Sequence, residues 1–320
     1  MAIKRWVGLA KETEWGSAVA ATRFLRARDT IISDPGFYTP PPIIRRAPSI
    51  KEAVKYLAQG NIGEFDARPD TIGEMLHMAF GKVETGAPVG TAYKHTFTPD
   101  DTIPHYTFMA LAEIKIVVIP TILMQRLTFR FGQGLECLKV LASVVGRGPE
   151  GDAAPDTVVP TDSDFSSEHT FSLDQLTGFK VDTVDRLAYL FDGEINFENP
   201  LPIEKMREGG SQYLGSLRLS DRRVTGKLSL AFEDTNERNK FLTRASFDLW
   251  FQWKGAQIGE TGHYKTFEIF LYNCSFMKDT TPHVKPINEP LALNAPFQAF
   301  YDSGEGMEAK ATLENEETSY

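Results

Sequence analysis

A chain of 320 residues with 34 Lys and Arg against 43 Asp and Glu carries a formal charge of −9, with 42% apolar and 24% charged residues. These are globular values, which exclude a disordered or fibrous chain, and the length leads us to expect two domains rather than one core. The acidic balance, with no basic cluster beyond Arg45-Arg46 and Arg222-Arg223, excludes a simple duplex-binding protein, whose affinity would come from Lys and Arg on phosphates.

Residues 1–50 combine a basic start at Lys4-Arg5 with no apolar stretch long enough for a signal-peptide core, since Lys11, Glu12 and Glu14 follow at once, so no signal peptide is expected. A strand is predicted from Thr22 to Ile32. The prolines Pro40, Pro41 and Pro42 can neither donate to a ladder nor continue a helix, so this stretch reads as an extended arm. A strand-like run from Ile50 to Phe65 leads to Thr71, which with Glu74 three residues later forms a capping-box pattern opening a helix over Ile72–Phe80, stopped by Gly81. Strands follow at Tyr93–Phe97, His105–Ala112, Ile114–Phe131 and Leu135–Val145. In the longest of these, Leu127, Phe129 and Phe131 alternate with Thr128 and Arg130, the period of a sheet with one buried face. The stretch Tyr106 to Met124 is interrupted by Glu113, Lys115 and Pro120, so it reads as strand rather than membrane helix, and the chain is expected to be soluble.

Gly146–His169 is rich in Gly, Pro, Asp, Ser and Thr, and marks a linker. Beyond it come a strand over Arg186–Glu198, a strand over Val224–Phe232, a polar helix over Asn236–Thr243, and strands at Phe247–Trp253, Lys265–Phe276 and Leu291–Tyr301. The second series resembles the first. Arg23 matches Arg186, Gly60 matches Gly226, Thr71 matches Thr235 and His105 matches His263, at spacings of 158 to 166 residues. A period of this length is far beyond a solenoid unit and indicates two tandem domains. The expected organisation is a first domain over 1–150 with its N-terminal arm, a linker over 151–170, a second domain over 171–302, and a mobile acidic tail over 303–320. The expected fold class is mainly β, a sandwich or half-barrel with a flanking helix in each copy.

The sequence carries little sign of catalysis. No dinucleotide, Walker, nucleophile-elbow or zincin pattern occurs. The six histidines show no ligand spacing, and Cys137 and Cys274 lie far apart among apolar neighbours, so neither a metal site, a disulfide scaffold nor a nucleophile is expected. No catalytic residue and no cofactor is assigned. Trp6, Trp15, Trp250 and Trp253 suit either packing at a core or interface or a stacking platform, and the platform keeps a carbohydrate-binding or adhesion β-sandwich open as an alternative.

The segment Lys11-Glu12-Thr13-Glu14-Trp15-Gly16-Ser17 followed by Thr22-Arg23-Phe24-Leu25 resembles the start of tail tube proteins of long-tailed, siphovirus-like bacteriophages. Gly60-Asn61-Ile62-Gly63-Glu64, Ile72-Gly73-Glu74-Met75-Leu76, Phe80-Gly81, Arg222-Arg223-Val224-Thr225-Gly226-Lys227-Leu228, Phe232-Glu233-Asp234 and Gln298-Ala299-Phe300-Tyr301-Asp302 continue the resemblance. It implies a non-enzymatic virion protein made in the host cytoplasm, with tube domains that form six-membered rings stacked into a hollow tube. The tape measure and tail terminator would be its partners, and no membrane would be involved. Duplicated domains would make the ring a homotrimer, a length that fits a non-contractile tail better than a contractile one. Trp6, Trp15 and Pro40–Pro42 would then form an inter-subunit arm. Asp192, Glu194 and Glu198, with Asn196 between the glutamates, share one strand face and are the expected lumen-facing set, repelling passing duplex DNA. The competing reading of that face is ordinary solvated surface.

Overall fold

A computed structural model describes residues 6–26, 30–32, 36–38, 52–55, 57–112, 115–132, 135–147, 160–161, 165, 168–201, 221–231, 236–259, 262–277 and 292–320. In chain order the elements are β1 (Val7–Lys11), β2 (Arg23–Leu25), β3 (Thr30–Ile32), β4 (Gly36–Tyr38), β5 (Glu52–Lys55), β6 (Leu57–Asp66), α1 (Ile72–Phe80), β7 (Gly81–Thr85), β8 (Tyr93–Pro99), β9 (Tyr106–Ala112), β10 (Lys115–Gly132) and β11 (Lys139–Arg147). They continue with β12 (Leu176–Val181), β13 (Val184–Asp185), β14 (Leu190–Glu198), β15 (Arg223–Ala231), α2 (Asn236–Thr243), β16 (Phe247–Ile258), β17 (His263–Phe276), β18 (Ala292–Ala299) and β19 (Ala309–Asn315). The fold is mainly β, as expected.

All strand ladders are antiparallel. One sheet runs β3-β6-β11-β10-β14-β15-β18, and β9, β1 and β2 branch from the first half of β10. A second runs β13-β12-β16-β17-β19-β8-β7. The end of β17 also pairs with β18, at Ser275 and Phe276, so the two sheets join along one side and curl around a shared core. Within this order a motif occurs twice. Strand β6 leads to α1 and the β7–β8 hairpin, and β11 later returns to pair with β6. Strand β15 leads to α2 and the β16–β17 hairpin, and β18 returns to pair with β15. In that order His263, opening β17, corresponds to the start of β8 rather than to His105, which precedes β9.

Aromatic rings fill the space between the sheets. Phe129 lies 5.5 Å from Phe267, and Phe131 lies 5.4 Å from Phe251 and 5.3 Å from Trp253, centroid to centroid. The inward positions follow the period of two, with a correction wherever the alternation slips. Ile122 and Met124 face inward, as do Leu127 and Phe129, a spacing that strict alternation cannot satisfy. An irregularity between Met124 and Arg126 takes up the extra residue and keeps both sets in the core. Gly226 allows β15 to approach β14 closely, since a Cβ there would sit 2.4 Å from the Glu194 carbonyl oxygen.

Several expectations change. The strand over Arg186–Glu198 begins at Leu190, because Leu187–Tyr189 form a single 3₁₀ turn. The capping box at α1 is not made: Thr71 gives no side-chain cap, and Glu74 turns inward to accept a hydrogen bond from Tyr106. Gly81 does end the helix, at φ 99°. Residues 303–320, expected as a mobile acidic tail, supply β19, whose Ala309, Ala311 and Leu313 are buried between β17 and β8. Small apolar residues at alternate positions suit a central strand pressed on both edges, and Lys310, Thr312 and Glu314 take the other face. The ladders β10–β14 and β19–β8 cross between the first 150 residues and the rest, and one hydrophobic core spans both. Most of the expected linker lies outside the described residues, as do Pro40, Pro41 and Pro42; within it Phe165 is buried against Phe24 and Trp6.

Candidate functional site

The side of the β6-β11-β10-β14-β15-β18 sheet that faces away from the core is a polar surface built on regular structure. Strand β14 defines it. Gly193, Ile195 and Phe197 point inward, while Asp192, Glu194, Asn196 and Glu198 share the outer face, as their spacing anticipates. On β10 the outward residues are Arg126, Thr128 and Arg130, because Leu127, Phe129 and Phe131 are committed to the core. Register then sets the chemistry. Arg126 lies opposite Glu198, Thr128 opposite Asn196, Arg130 opposite Glu194 and Gly132 opposite Asp192. On the other flank, β15 places Arg223, Thr225, Lys227 and Ser229 opposite Glu198, Asn196, Glu194 and Asp192.

These pairings are made by the side chains as well as the backbone. Arg126 Nη2 lies 2.5 Å from Glu198 Oε1, Arg130 Nε donates to Glu194 Oε2 at 3.0 Å, and Lys227 Nζ is 3.7 Å from the same oxygen. Asn196 Nδ2 donates to Glu194 Oε1 at 3.1 Å, and its Oδ1 accepts from Thr128 Oγ1 at 2.6 Å. Partial burial opposes ionisation of Glu194, but the Asn196 hydrogen bond, Lys227 and Arg130 outweigh it and hold the carboxyl below its usual range. One strand further out, Lys139 on β11 pairs with Asp66 on β6 at 2.5 Å. The face is therefore ionic but locally compensated, and the carboxylates expected to act as a repulsive acidic wall each face cations, Asp192 excepted. The cations Arg126, Arg130 and Lys227 were not among the candidates from sequence. The alternation of Thr128 and Arg130 with aromatics was visible there, but which strand would lie beside them was not.

A second polar cluster is buried. All nine residues of α1 are buried, including Glu74 and His77. Tyr106 donates to Glu74 Oε2 at 2.7 Å, His77 Nδ1 lies 3.0 Å from the same hydroxyl, and Arg23 approaches Glu74 at 3.8 Å and pairs with Glu317. Burial raises the Glu74 carboxyl above its usual range and lowers His77 to about 4, with Lys11 adding to the latter effect. Arg222 closes the helix from the other side. It donates to the carbonyls of Phe80 and Asp100 and to Asn199, which itself donates to Ala79 O, so the last carbonyls of α1 find partners. Near the start of the chain, buried Glu12 accepts from Thr107 Oγ1 and from the amide and hydroxyl of Thr121 at 2.6 to 2.8 Å. Glu12, Glu74, Tyr106 and Asn199 thus find hydrogen-bond partners within the chain.

The remaining candidates separate. Trp6 is only 4% exposed, packed against Phe24, Met109 and Phe165 of its own chain, so its ring is not available to a neighbouring subunit as an arm would require. Trp15 is part-exposed and lies 5.6 Å from His105. Trp250 and Trp253 are three residues apart in a strand and point to opposite faces: Trp253 is fully buried, while Trp250 lies under Lys180 on the outside, so the two form no common platform. Among the described residues no group of three or more His, Cys, Asp or Glu could hold a metal ion, and no helix is long and apolar enough to cross a membrane.

Comparison with protein families gives a match to the model described as phage tail tube protein, over residues 5–299. Among curated proteins none matches the chain.

Proposed function

Since the chain belongs to the phage tail tube protein family and is thus a structural component of a phage tail, we propose that it assembles into stacked rings whose channel is lined by the outer face of the large sheet. The observation that carries this reading is the two-sided character of that sheet. One face holds Phe129, Phe131, Phe197 and Phe297 in the core, and the other is broad, strand-built and polar without being a pocket. Such a wall passes duplex DNA without binding it specifically.

The sheet also ends in edges suited to a ring. At one side is β3, three residues long; at the other, β18 pairs with β15 along its whole length but with β17 only at its end, leaving Ala292–Ala295 without a second ladder among the described residues. Pairing such edges between copies closes a ring and removes the aggregation hazard of an open sheet. The repeated order of strand, helix, hairpin and returning strand supports two tube domains per chain. Three chains then give a pseudo-six-fold ring of the siphovirus type, with tape measure and tail terminator as partners in the virion. The proline-rich segment at Pro40–Pro42 and the part-exposed Trp15 remain the proposed arm to the next subunit; Trp6 does not join them.

Negative-stain electron microscopy of the concentrated protein tests this. Hollow filaments with three subunits in each ring are expected. Six subunits in each ring would overturn the duplicated-domain trimer, and filaments without a channel would overturn the tube.

A further inference from the structure

Three adjacent strands of the channel face alternate in sign. Strand β10 presents Arg126 and Arg130, β14 presents Asp192, Glu194 and Glu198, and β15 presents Arg223 and Lys227. The contacts are Arg126 to Glu198 at 2.5 Å, Arg130 to Glu194 at 3.0 Å and Lys227 to Glu194 at 3.7 Å. Asn196, between the two glutamates, is bonded to both Glu194 and Thr128 and fixes the anion toward its cations. Exposed pairs of this kind contribute little to stability, so folding alone does not account for a three-strand array. A guanidinium left free on this face would find a different partner in DNA, because it binds phosphate through two parallel hydrogen bonds.

Building on the tube reading, we infer that Glu194 and Glu198 serve as internal counter-ions that occupy Arg126, Arg130 and Lys227 and keep these cations from gripping the phosphates of passing duplex DNA. Their role is masking rather than repulsion. Screening confines a repulsive field to about 8 Å at physiological salt, and pairing with adjacent cations reduces it further. An arginine paired with an adjacent carboxylate needs no long-range field, since its charge is compensated on the spot: Arg126 Nη2 faces Glu198 and Arg130 Nε donates to Glu194. The polymer then meets a wall that neither holds it nor depends on a surplus of negative charge.

The test uses the full chain and a short fluorescent DNA duplex, with binding followed by anisotropy over a range of salt. The double variant Glu194→Gln and Glu198→Gln is expected to bind at least about tenfold more tightly than wild type at low salt. Its salt dependence should steepen by about 2 to 3 in the log–log slope, roughly one for each phosphate newly neutralised by a released cation. A control with the same change in net charge at exposed sites, Glu14→Gln with Glu305→Gln, is expected to match wild type. Adding Arg126→Gln, Arg130→Gln and Lys227→Gln to the first variant should abolish the tighter binding. Equal binding by the double variant and the control would overturn the masking role, and so would tighter binding that survives loss of all three cations. If the double variant unfolds by circular dichroism, Glu194→Gln alone, which leaves the Arg126–Glu198 pair, is expected to show a smaller increase of the same kind, and no increase would be equally fatal. Microscopy of the same preparations separates the two ideas: filaments without increased DNA binding overturn masking alone, whereas wild-type protein that forms no filaments overturns the tube reading.

Discussion

Helices α1 and α2 each stand between a sheet strand and a hairpin, yet they meet different surroundings. Helix α1, Ile-Gly-Glu-Met-Leu-His-Met-Ala-Phe, is buried on every side, whereas α2, Asn-Glu-Arg-Asn-Lys-Phe-Leu-Thr, is polar and leaves Leu242 60% exposed. The difference comes from what covers them. Residues from beyond position 190 close over α1: Arg222 and Asn199 take its last carbonyls, and the Tyr320 ring lies against Gly73. Lys240 of α2 pairs with Asp182, an exposed contact at 2.6 Å. An early helix enclosed by late residues thus joins the two halves of the chain through a shared core.

Removing the largest ring of α1 should disturb this contrast most. Phe80 is 2% exposed and packs at a tilt against Phe197, ring centroids 4.9 Å apart, so Phe80→Ala is expected to cost about 3–5 kcal/mol in urea unfolding. Acid should come next. The unfolded chain holds His77 near the ordinary value of 6.5 and the folded chain near 4, so between these values the unfolded state binds more protons and stability falls as pH drops. From pH 7 to pH 5 this amounts to about 2 kcal/mol. Glu74, with its carboxyl raised by burial, is linked in the opposite sense and loses stability as pH rises through its folded value. Urea midpoints at pH 7, 6 and 5 should therefore fall less steeply for His77→Gln than for wild type. A parallel slope would remove His77 from the account.

Smaller effects separate the two helices further. A Cβ on Gly73 would come within 2.1 Å of the Tyr320 ring, so Gly73→Ala is expected to cost about 1–3 kcal/mol by overpacking. Tyr320→Ala in the same chain should recover part of that cost, a non-additivity that a double-mutant cycle reads directly. The least change belongs to α2, where Leu242→Ala should stay within about 0.5 kcal/mol of wild type. A loss comparable to that of Phe80→Ala would mean that α2 is covered after all.

Both helices were legible to the residue, because apolar content, a glycine stop and a polar run are local signals. Most strands of the large sheet were legible to within a few positions, although β1 gave no sign and the single strand expected over Thr22–Ile32 holds both β2 and β3; the period of two placed Asp192, Glu194, Asn196 and Glu198 on one face. What failed shares a cause. Thr71 and Glu74 carry the pattern of a capping box, but Tyr106 offered Glu74 a better partner inside the fold. Strand β19 hides in an acidic stretch, since Ala309, Ala311 and Leu313 become a core only when β17 and β8 flank them.

Which residues could turn inward, where helices start and stop, and that the chain is built of long alternating strands all follow from the order of amino acids alone, because each depends on neighbours within a few positions. That Arg126 and Arg130 face Glu198 and Glu194, and that Lys227 joins them from the other side, emerges only in the folded chain. Register between positions some 30 to 70 residues apart is fixed by bulges and core packing across the whole sheet, and no local pattern encodes it.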